Sequence, residues 1–261
     1  MPAPDTLLNA VSAIAAEAGQ LALGRGASDY RRWEKVPGHP VCDVDLELDA
    51  MLRERLTKLD PEAGWLSEET VDSAERLLGV RTWVVDPIDG TRDFLRGRPG
   101  WSVSIALVEG GRPLIGVLDA PARGEHWRAQ AGMGATRNGL PLMVSGRTSF
   151  NGARVPADSL PKVDFDLVAV DKPNSIALRI GMVAAGEADL LATLRWGHEW
   201  DIAAAALIAQ EAGATVTDAL GRPLRYNSTK GEAFGILAAT PGIHAAAIDR
   251  LAERAAAGVI R

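Results

Sequence analysis

The chain has 261 residues, of which 47% are hydrophobic and 24% charged, and its formal net charge is -6. This composition is typical of a globular protein, and the acidic balance argues against a nucleic-acid-binding protein. The single cysteine, Cys42, excludes an intramolecular disulfide and a cysteine-based zinc site, and we identify no apolar run of about 18 residues, which predicts a cytoplasmic protein without a membrane span.

Two helices are predicted before the first strands. Apolar residues at helical spacing predict a helix over residues 6–23 and a second one that begins at Asp43 or Asp45 and contains apolar positions up to Leu59. Residues 33–42 contain two prolines and a glycine, so we expect a loop between these helices. Strands are then predicted at 82–85, 102–108 and 114–118, with a hairpin between the last two, and Asn138-Gly139 marks a further turn. The first half is therefore expected to be helices followed by a mainly antiparallel sheet.

In the second half of the chain, the predicted strands and helices alternate. Strands are predicted at 166–170, 190–193, 215–217 and 234–239, and helices at 175–185, 202–212 and 243–256. This alternation predicts an α/β unit. We expect a boundary within residues 140–155, which divides the chain into parts 1–145 and 146–261.

The most informative segment for the chemical function runs from Trp83 to Thr91. A predicted buried strand leads directly into Asp86 and Asp89, and Gly90 allows a tight turn before a short helical stretch. Two carboxylates held this close require a neutralising cation, and oxygen ligands suit magnesium. The N–H groups of Gly90 and Thr91 would bind phosphate at the start of the helical stretch. For this segment alone, a purely structural Asp-Pro turn is an equal alternative.

Two further acidic segments favour the metal site over the structural turn. Glu68 and Glu69 follow an apolar stretch, and Asp201 precedes an alanine-rich helix, although each alone is better explained by a helix cap or a solvated face. In order and spacing, the three segments together resemble the motifs of the inositol monophosphatase superfamily of magnesium-dependent, lithium-sensitive phosphatases. The resemblance covers nearly the whole chain. It implies an α/β (α+β) fold, a layered αβαβα sandwich with the active site between its two halves.

The resemblance also implies roles for individual residues in the attack of metal-activated water on a phosphate. Two or three Mg²⁺ ions would be held by Glu68, Asp86, Asp89, Asp201 and the main-chain carbonyl of Ile88. Asp45 and Thr91 would orient and deprotonate the water, with Asp43 as the alternative to Asp45. Glu69 would support them, and Gly90 and Thr91 would hold the phosphate. The partners implied are a small phosphorylated substrate and a second copy of the chain in a homodimer, with neither nucleic acid nor membrane.

The residues around the phosphate indicate the substrate class. The run Thr91-Arg92-Asp93-Phe94 resembles bacterial 3′(2′),5′-bisphosphate nucleotidases, and Leu194 stands where inositol-phosphate enzymes have a glutamate. We therefore expect a bisphosphate nucleotidase, with an inositol-1-monophosphatase or another sugar phosphatase as the alternative. A catalytically inactive binding protein of the same fold is the non-enzymatic alternative. The expected substrate contacts are Lys35, Arg92, Asn174 and Ser175, and the candidates for a second phosphate are Arg92, Arg96 and Arg98.

Overall fold

The computed structural model describes residues 4–25, 30–36 and 39–259. The helices in these ranges are α1 (Pro4–Leu23), α2 (Asp43–Leu59), α3 (Thr91–Phe94), α4 (Ile176–Ala184), α5 (Ala203–Glu211) and α6 (Pro241–Val259). The strands are β1 (Arg32–Val36), β2 (His39–Cys42), β3 (Gly64–Ser67), β4 (Arg81–Asp89), β5 (Ser102–Glu109), β6 (Arg112–Ala120), β7 (Glu125–Gln130), β8 (Ala135–Arg137), β9 (Leu140–Pro141), β10 (Arg154–Pro156), β11 (Val168–Val170), β12 (Leu190–His198), β13 (Thr215–Thr217) and β14 (Glu232–Ala239).

A seven-stranded sheet forms the larger half of the scaffold. Its strands lie in the order β3-β4-β5-β6-β7-β8-β9, and every neighbouring pair is antiparallel except β3 and β4. The predicted hairpin between β5 and β6 is confirmed, because Glu109 pairs with Arg112 and both intervening glycines have positive φ. The turn at Asn138-Gly139 is confirmed in the same way, between β8 and β9.

The layers follow from which faces of the sheets are apolar. Helices α1 and α2 cover one face of the large sheet, where Leu7 and Leu48 pack with Trp83. Helices α4 and α5 cover its other face, and α5 lies so close that a Cβ on Gly116 would be 2.5 Å from the Ala204 carbonyl oxygen. A smaller antiparallel sheet in the order β12-β14-β13 follows, with α6 beyond it. The predicted αβαβα sandwich is thus confirmed.

Helix α1 departs from the expectation that the chain contains no long apolar run. By length and composition, Thr6–Leu23 is a candidate membrane span. In the structure its apolar side packs in the core against α2 and the large sheet, where Leu7, Val11, Ala15 and Ala18 are buried. Packing between these layers accounts for the apolar composition of the helix.

The loop predicted over residues 33–42 is wrong in its described part. Strands β1 and β2 form a two-stranded antiparallel ribbon in which Trp33 pairs with Val41 and Glu34 with Pro40. Pro40 is compatible with this ribbon because an edge strand tolerates a residue without an N–H group. Residues 37 and 38 lie outside the described residues. This ribbon leads directly into α2.

The division into parts 1–145 and 146–261 stays a prediction. The large sheet lies before residue 145 and the small sheet after it, but one apolar cluster joins the two parts. In this cluster Leu118 and Trp127 of the large sheet pack with Ile180 and Leu207 of α4 and α5. The cleft described next lies between these two parts.

Candidate active site

Three carboxylates from distant parts of the sequence meet at one end of the large sheet. Glu68, Asp86 and Asp201 each place an oxygen within 4.8 Å of the other two. Glu68 and Asp86 become neighbours because β3 runs parallel to β4 and ends at Ser67, which lies opposite Val85. Asp201 precedes α5, and its segment is held on β5 by a 3.2 Å hydrogen bond from the Ser104 hydroxyl to the Trp200 carbonyl.

The electrostatics of this carboxylate cluster call for a cation. Burial and the charges of Glu68 and Asp89 raise the pKa of Asp86 well above its ordinary value. Burial and the charges of Asp89 and Glu68 likewise raise the pKa of Asp201, although a hydrogen bond with Asp86 lowers it in part. A set of carboxylate oxygens with accumulated negative charge fits a hard divalent cation such as Mg²⁺. The predicted ligands Glu68, Asp86 and Asp201 are therefore brought together by the fold.

Asp89 lies beside the cluster but is held differently. Its carboxylate accepts hydrogen bonds from the Ser175 hydroxyl at 2.5 Å and from the N–H groups of Ile176 and Ala177 at 3.3 and 2.7 Å. Burial raises the pKa of Asp89 to about 6, against the lowering effect of these donors and of the Arg179 charge. In this arrangement Asp89 neutralises the start of α4, and its role as a metal ligand stays a prediction.

The turn after Asp89 is built around Gly90. Its φ of 95° places it in the left-handed region, and a Cβ there would lie 2.7 Å from the Gly100 carbonyl oxygen and 2.8 Å from the Ser175 nitrogen. This turn starts α3 at Thr91, as predicted. The Thr91 hydroxyl donates to the Ile88 carbonyl at 3.0 Å, so the carbonyl predicted to bind a metal has a protein partner here.

Asp43 and Asp45, left as alternatives by the sequence, have different surroundings. Asp43 is exposed and accepts a 3.1 Å hydrogen bond from the Arg31 N–H group. Asp45 is buried, accepts from the Cys42 N–H and thiol at 2.8 and 3.0 Å, and is close enough to the cluster for its charge to raise the pKa of Asp86. Burial, the largest effect, and the Asp45 charge raise the pKa of Cys42 to about 12. The thiol therefore stays protonated and can donate its hydrogen bond to Asp45. The geometry favours Asp45 over Asp43.

A cavity of about 310 Å³ lies at the carboxylate cluster. Arg92 and Asn174 line it together with Glu68, Asp86, Asp89 and Asp201. Ser175, predicted as a substrate contact, is fully buried and its hydroxyl bonds Asp89. Glu69 is half-buried next to Glu68. The Lys35 side chain lies outside what the structure describes.

Sequence reasoning missed part of the lining of this cavity, which carries cationic and aromatic side chains. Arg179 reaches it from α4, and Arg195 and Trp196 reach it from β12. The rings of His198 and Trp200 stack there with centroids 4.2 Å apart and planes inclined by 6°. Neither Arg179 nor Arg195 belongs to a sequence motif. Arg179 lies in a helix, and Arg195 lies in an irregular strand. Only the fold brings them to the carboxylates.

Comparisons with known proteins agree with this geometry. Residues 3–257 match the model of the inositol monophosphatase family. Fructose-1,6-bisphosphatase/inositol-1-monophosphatase from Thermotoga maritima is 35% identical over 192 residues, which are 70% of this chain and 72% of that protein. The 3′(2′),5′-bisphosphate nucleotidase CysQ from Escherichia coli O157:H7 is 31% identical over 84% of this chain and 94% of its own length. Among solved structures, a Thermotoga maritima IMPase superposes with a TM-score of 0.81 at 29% identity, covering 93% of this chain and 95% of the other.

Proposed function

Because this chain belongs to the inositol monophosphatase family and is a phosphoric monoester hydrolase, we propose that its substrate is a 3′(2′),5′-bisphosphorylated nucleotide and its cofactor Mg²⁺. The observation that carries this proposal is the cavity itself. Its lining combines the carboxylates Glu68, Asp86 and Asp201 with the guanidinium groups of Arg92, Arg179 and Arg195. A substrate with two phosphates matches such a lining, because one phosphate would face the cation site and the other the guanidinium groups.

The proposed reaction is hydrolysis of the phosphate that lies at the carboxylate cluster. Glu68, Asp86, Asp89 and Asp201, with the Ile88 carbonyl, would hold two or three Mg²⁺ ions, which neutralise the phosphate oxygens and lower the pKa of water. Asp45 would accept the proton of the attacking water while Thr91 orients it, with Glu69 beside them. The N–H groups of Gly90 and Thr91 would bind the transferred phosphoryl group at the start of α3.

An inositol-1-monophosphatase is the second candidate, and the names of several relatives favour it. One observation weakens it for this chain. Leu194 packs against the apolar clusters beneath α6 and is not among the residues that line the cavity, whereas its neighbours Thr193 and Arg195 are. No hydroxyl-binding carboxylate is therefore supplied from this position.

Phosphate release in the presence of Mg²⁺ tests the proposal directly. The substrates are adenosine 3′,5′-bisphosphate, inositol 1-phosphate and fructose 1,6-bisphosphate, and the measured quantity is kcat/KM for each. We expect the first to be preferred. A preference for inositol 1-phosphate would assign the second candidate, and no hydrolysis of any ester despite Mg²⁺ binding would indicate the inactive binding protein.

Family membership also leads us to propose a cytoplasmic homodimer that lithium inhibits. Sedimentation velocity measures the oligomeric state. Turnover with and without LiCl, against NaCl at the same concentration, measures the lithium effect.

A further inference from the structure

Two buried carboxylates lie on the same face of α2. Asp45, the proposed base, and Asp49 are about one helical turn apart, and they are 1% and 7% exposed. The charge of Asp45 acts on Asp86 in the carboxylate cluster. Asp49 has no part in the proposed reaction and belongs to no motif that the sequence indicates. The burial of this second carboxylate therefore needs an explanation of its own.

The Asp49 carboxylate holds the segment that contains Glu68 on both sides. Its Oδ1 atom accepts a hydrogen bond from the Ser67 hydroxyl, and its Oδ2 atom accepts from the Thr70 hydroxyl at 2.5 Å. Ser67 directly precedes Glu68, and Thr70 directly follows Glu69. Asp49 thus ties both ends of the Glu68–Glu69 dipeptide to α2.

The hydrogen-bond network around Asp49 needs an acceptor at both of its oxygens. The Ser67 hydroxyl oxygen accepts from the Glu69 N–H group at 3.4 Å, and the Thr70 hydroxyl oxygen accepts from Trp65 Nε1 at 3.3 Å. Each hydroxyl therefore directs its proton to Asp49, and an ionised carboxylate, which only accepts, satisfies both. An asparagine would offer one oxygen and one NH₂ group, so one of the two hydroxyls would lose its acceptor.

No ion pair compensates the charge of Asp49 within residues 4–25, 30–36 and 39–259. Burying a carboxylate without a cation costs free energy, and its charge-assisted hydrogen bonds offset only part of this cost. The charge of Asp49 is therefore explained better by the orientation of the groups that it binds than by a gain in stability.

We propose that Asp49 is a positioning residue that orients Glu68 for cation binding and joins it to the helix that carries Asp45. This inference rests on the proposed function, because it takes Glu68 as a Mg²⁺ ligand. The Glu68 N–H group continues the pairing with β4 only through a 3.4 Å hydrogen bond to the Val85 carbonyl. The contacts from Asp49 supply the further support. Loss of a hydrogen-bonding group behind a metal ligand typically lowers metal affinity by about 10- to 100-fold.

The test measures Mg²⁺ binding to the whole chain by isothermal titration calorimetry without substrate. The variants are Asp49→Asn, which keeps the size of the side chain, and Glu68→Gln, which alters the ligand itself, alone and combined. Glu54→Gln is the matched control, because it changes an exposed carboxylate on the same helix. For the same proteins, kcat and KM are measured at saturating Mg²⁺, and the free energy of unfolding is measured in urea.

We expect Asp49→Asn to raise the dissociation constant of the Mg²⁺ site that Glu68→Gln weakens by about tenfold. At saturating Mg²⁺, kcat should return to within about threefold of wild type and KM to within about twofold, because only cation binding is impaired. In the Glu68→Gln background, Asp49→Asn should have little further effect, because it acts through Glu68. An unchanged dissociation constant, or an equal loss in both backgrounds, would overturn the proposal.

A second pair of variants keeps the test decisive if Asp49→Asn does not fold. Ser67→Ala and Thr70→Val each remove one donor to Asp49 from the other side of the contact, and the double variant should weaken Mg²⁺ binding about as much as Asp49→Asn. A loss of stability in the double variant with wild-type Mg²⁺ binding would show that these hydrogen bonds are only structural and would reject the positioning role.

The wild type and Glu68→Gln separate failure of this proposal from failure of the proposed function. If both behave as expected and Asp49→Asn binds Mg²⁺ like the wild type, only the positioning role is rejected. If the wild type does not bind Mg²⁺, or if Glu68→Gln binds it equally well, the proposed cation site fails and the positioning role fails with it. A preference for inositol 1-phosphate in the hydrolysis assay would reject the proposed substrate, while weaker Mg²⁺ binding by Asp49→Asn would still support the positioning role.

Discussion

The hydroxyl of Ser175 donates a 2.5 Å hydrogen bond to the carboxylate of Asp89, a residue 86 positions earlier in the chain. The same hydroxyl accepts from the Leu178 N–H at 2.9 Å and so caps α4. Asp89 in turn accepts from Ala177 at 2.7 Å. The position of one predicted metal ligand is thus determined by the start of a helix in the other half of the molecule.

Replacing Ser175 with alanine should affect stability and turnover together. The change removes a helix cap and a bond to a buried carboxylate, and we expect a loss of about 2 kcal/mol in the free energy of unfolding. Turnover should fall about tenfold or more because Asp89 loses its orientation. Urea unfolding and kcat measure the two effects, with exposed Ser149→Ala as control. Wild-type turnover in Ser175→Ala would show that this hydrogen bond does not position Asp89.

The carboxylate cluster could be predicted from sequence, whereas the arginines that line the same cavity, Arg179 and Arg195, could not. Glu68 directly follows β3, and Asp86 follows the apolar run Trp83-Val84-Val85 within β4, so the local pattern already indicates both carboxylates. Arg195 reaches the cavity through a bulge that requires Gly235 on another strand, which is a non-local relationship. Similarly, the pairing of Trp33 with Val41 was missed because the prolines and glycine between 33 and 42 indicate a loop when read locally.

Glu68→Gln should weaken cation binding without unfolding the protein. Glu68 is only half-buried, so the neutral amide fits its place, while the site loses one negative oxygen. We expect the Mg²⁺ concentration for half-maximal activity to rise about tenfold or more, because hard cations bind carboxylates far better than amides. Mg²⁺ titrations of activity and of the melting temperature measure this, with exposed Glu253→Gln as control. An unchanged Mg²⁺ requirement would remove Glu68 from the ligand set.

The stabilisation by Mg²⁺ should increase with pH. Burial and neighbouring charges raise the pKa values of Asp86 and Asp201, and burial raises that of Asp89 to about 6. Between the unfolded-state value, 3.8 for these groups, and the raised native values, the native state holds more protons than the unfolded state. These carboxyls therefore lower the stability of the metal-free protein as pH rises through that window. A bound cation requires the deprotonated form and reverses this penalty.

Differential scanning calorimetry in EDTA and in MgCl₂ checks this expectation. The rise in melting temperature caused by Mg²⁺ should be larger at about pH 7.5 than at about pH 5. KCl at matched ionic strength controls for screening. A rise that is equal at both pH values would mean that the buried carboxylates do not titrate with the metal.

Asp189 should contribute to stability rather than to catalysis. Its fully buried carboxylate accepts from the Ser145 hydroxyl at 2.6 Å and from the side chains of Arg147 and Arg154 at 2.7–3.0 Å, which ties the segment before β10 to the start of β12. Burial alone would raise the pKa of Asp189, but hydrogen bonds from Arg154 and Ser145 hold this pKa well below 3.8. A native pKa below the unfolded value gives stability that is present above about pH 4 and lost as pH falls further.

Asp189→Asn should therefore lower the free energy of unfolding by about 2 kcal/mol at neutral pH, a value reduced from that of a fully buried pair because both arginines are partly exposed. The difference between wild type and variant should shrink as pH falls below about 4, because the Asp189 carboxyl of the unfolded state then takes up a proton while that of the native state does not. Asp158→Asn, which removes an exposed ion pair with Lys172, is the control and should leave the free energy of unfolding nearly unchanged. Urea unfolding across this pH range decides the matter: a difference between Asp189→Asn and wild type that is independent of pH would show that the lost carboxylate charge is not its cause.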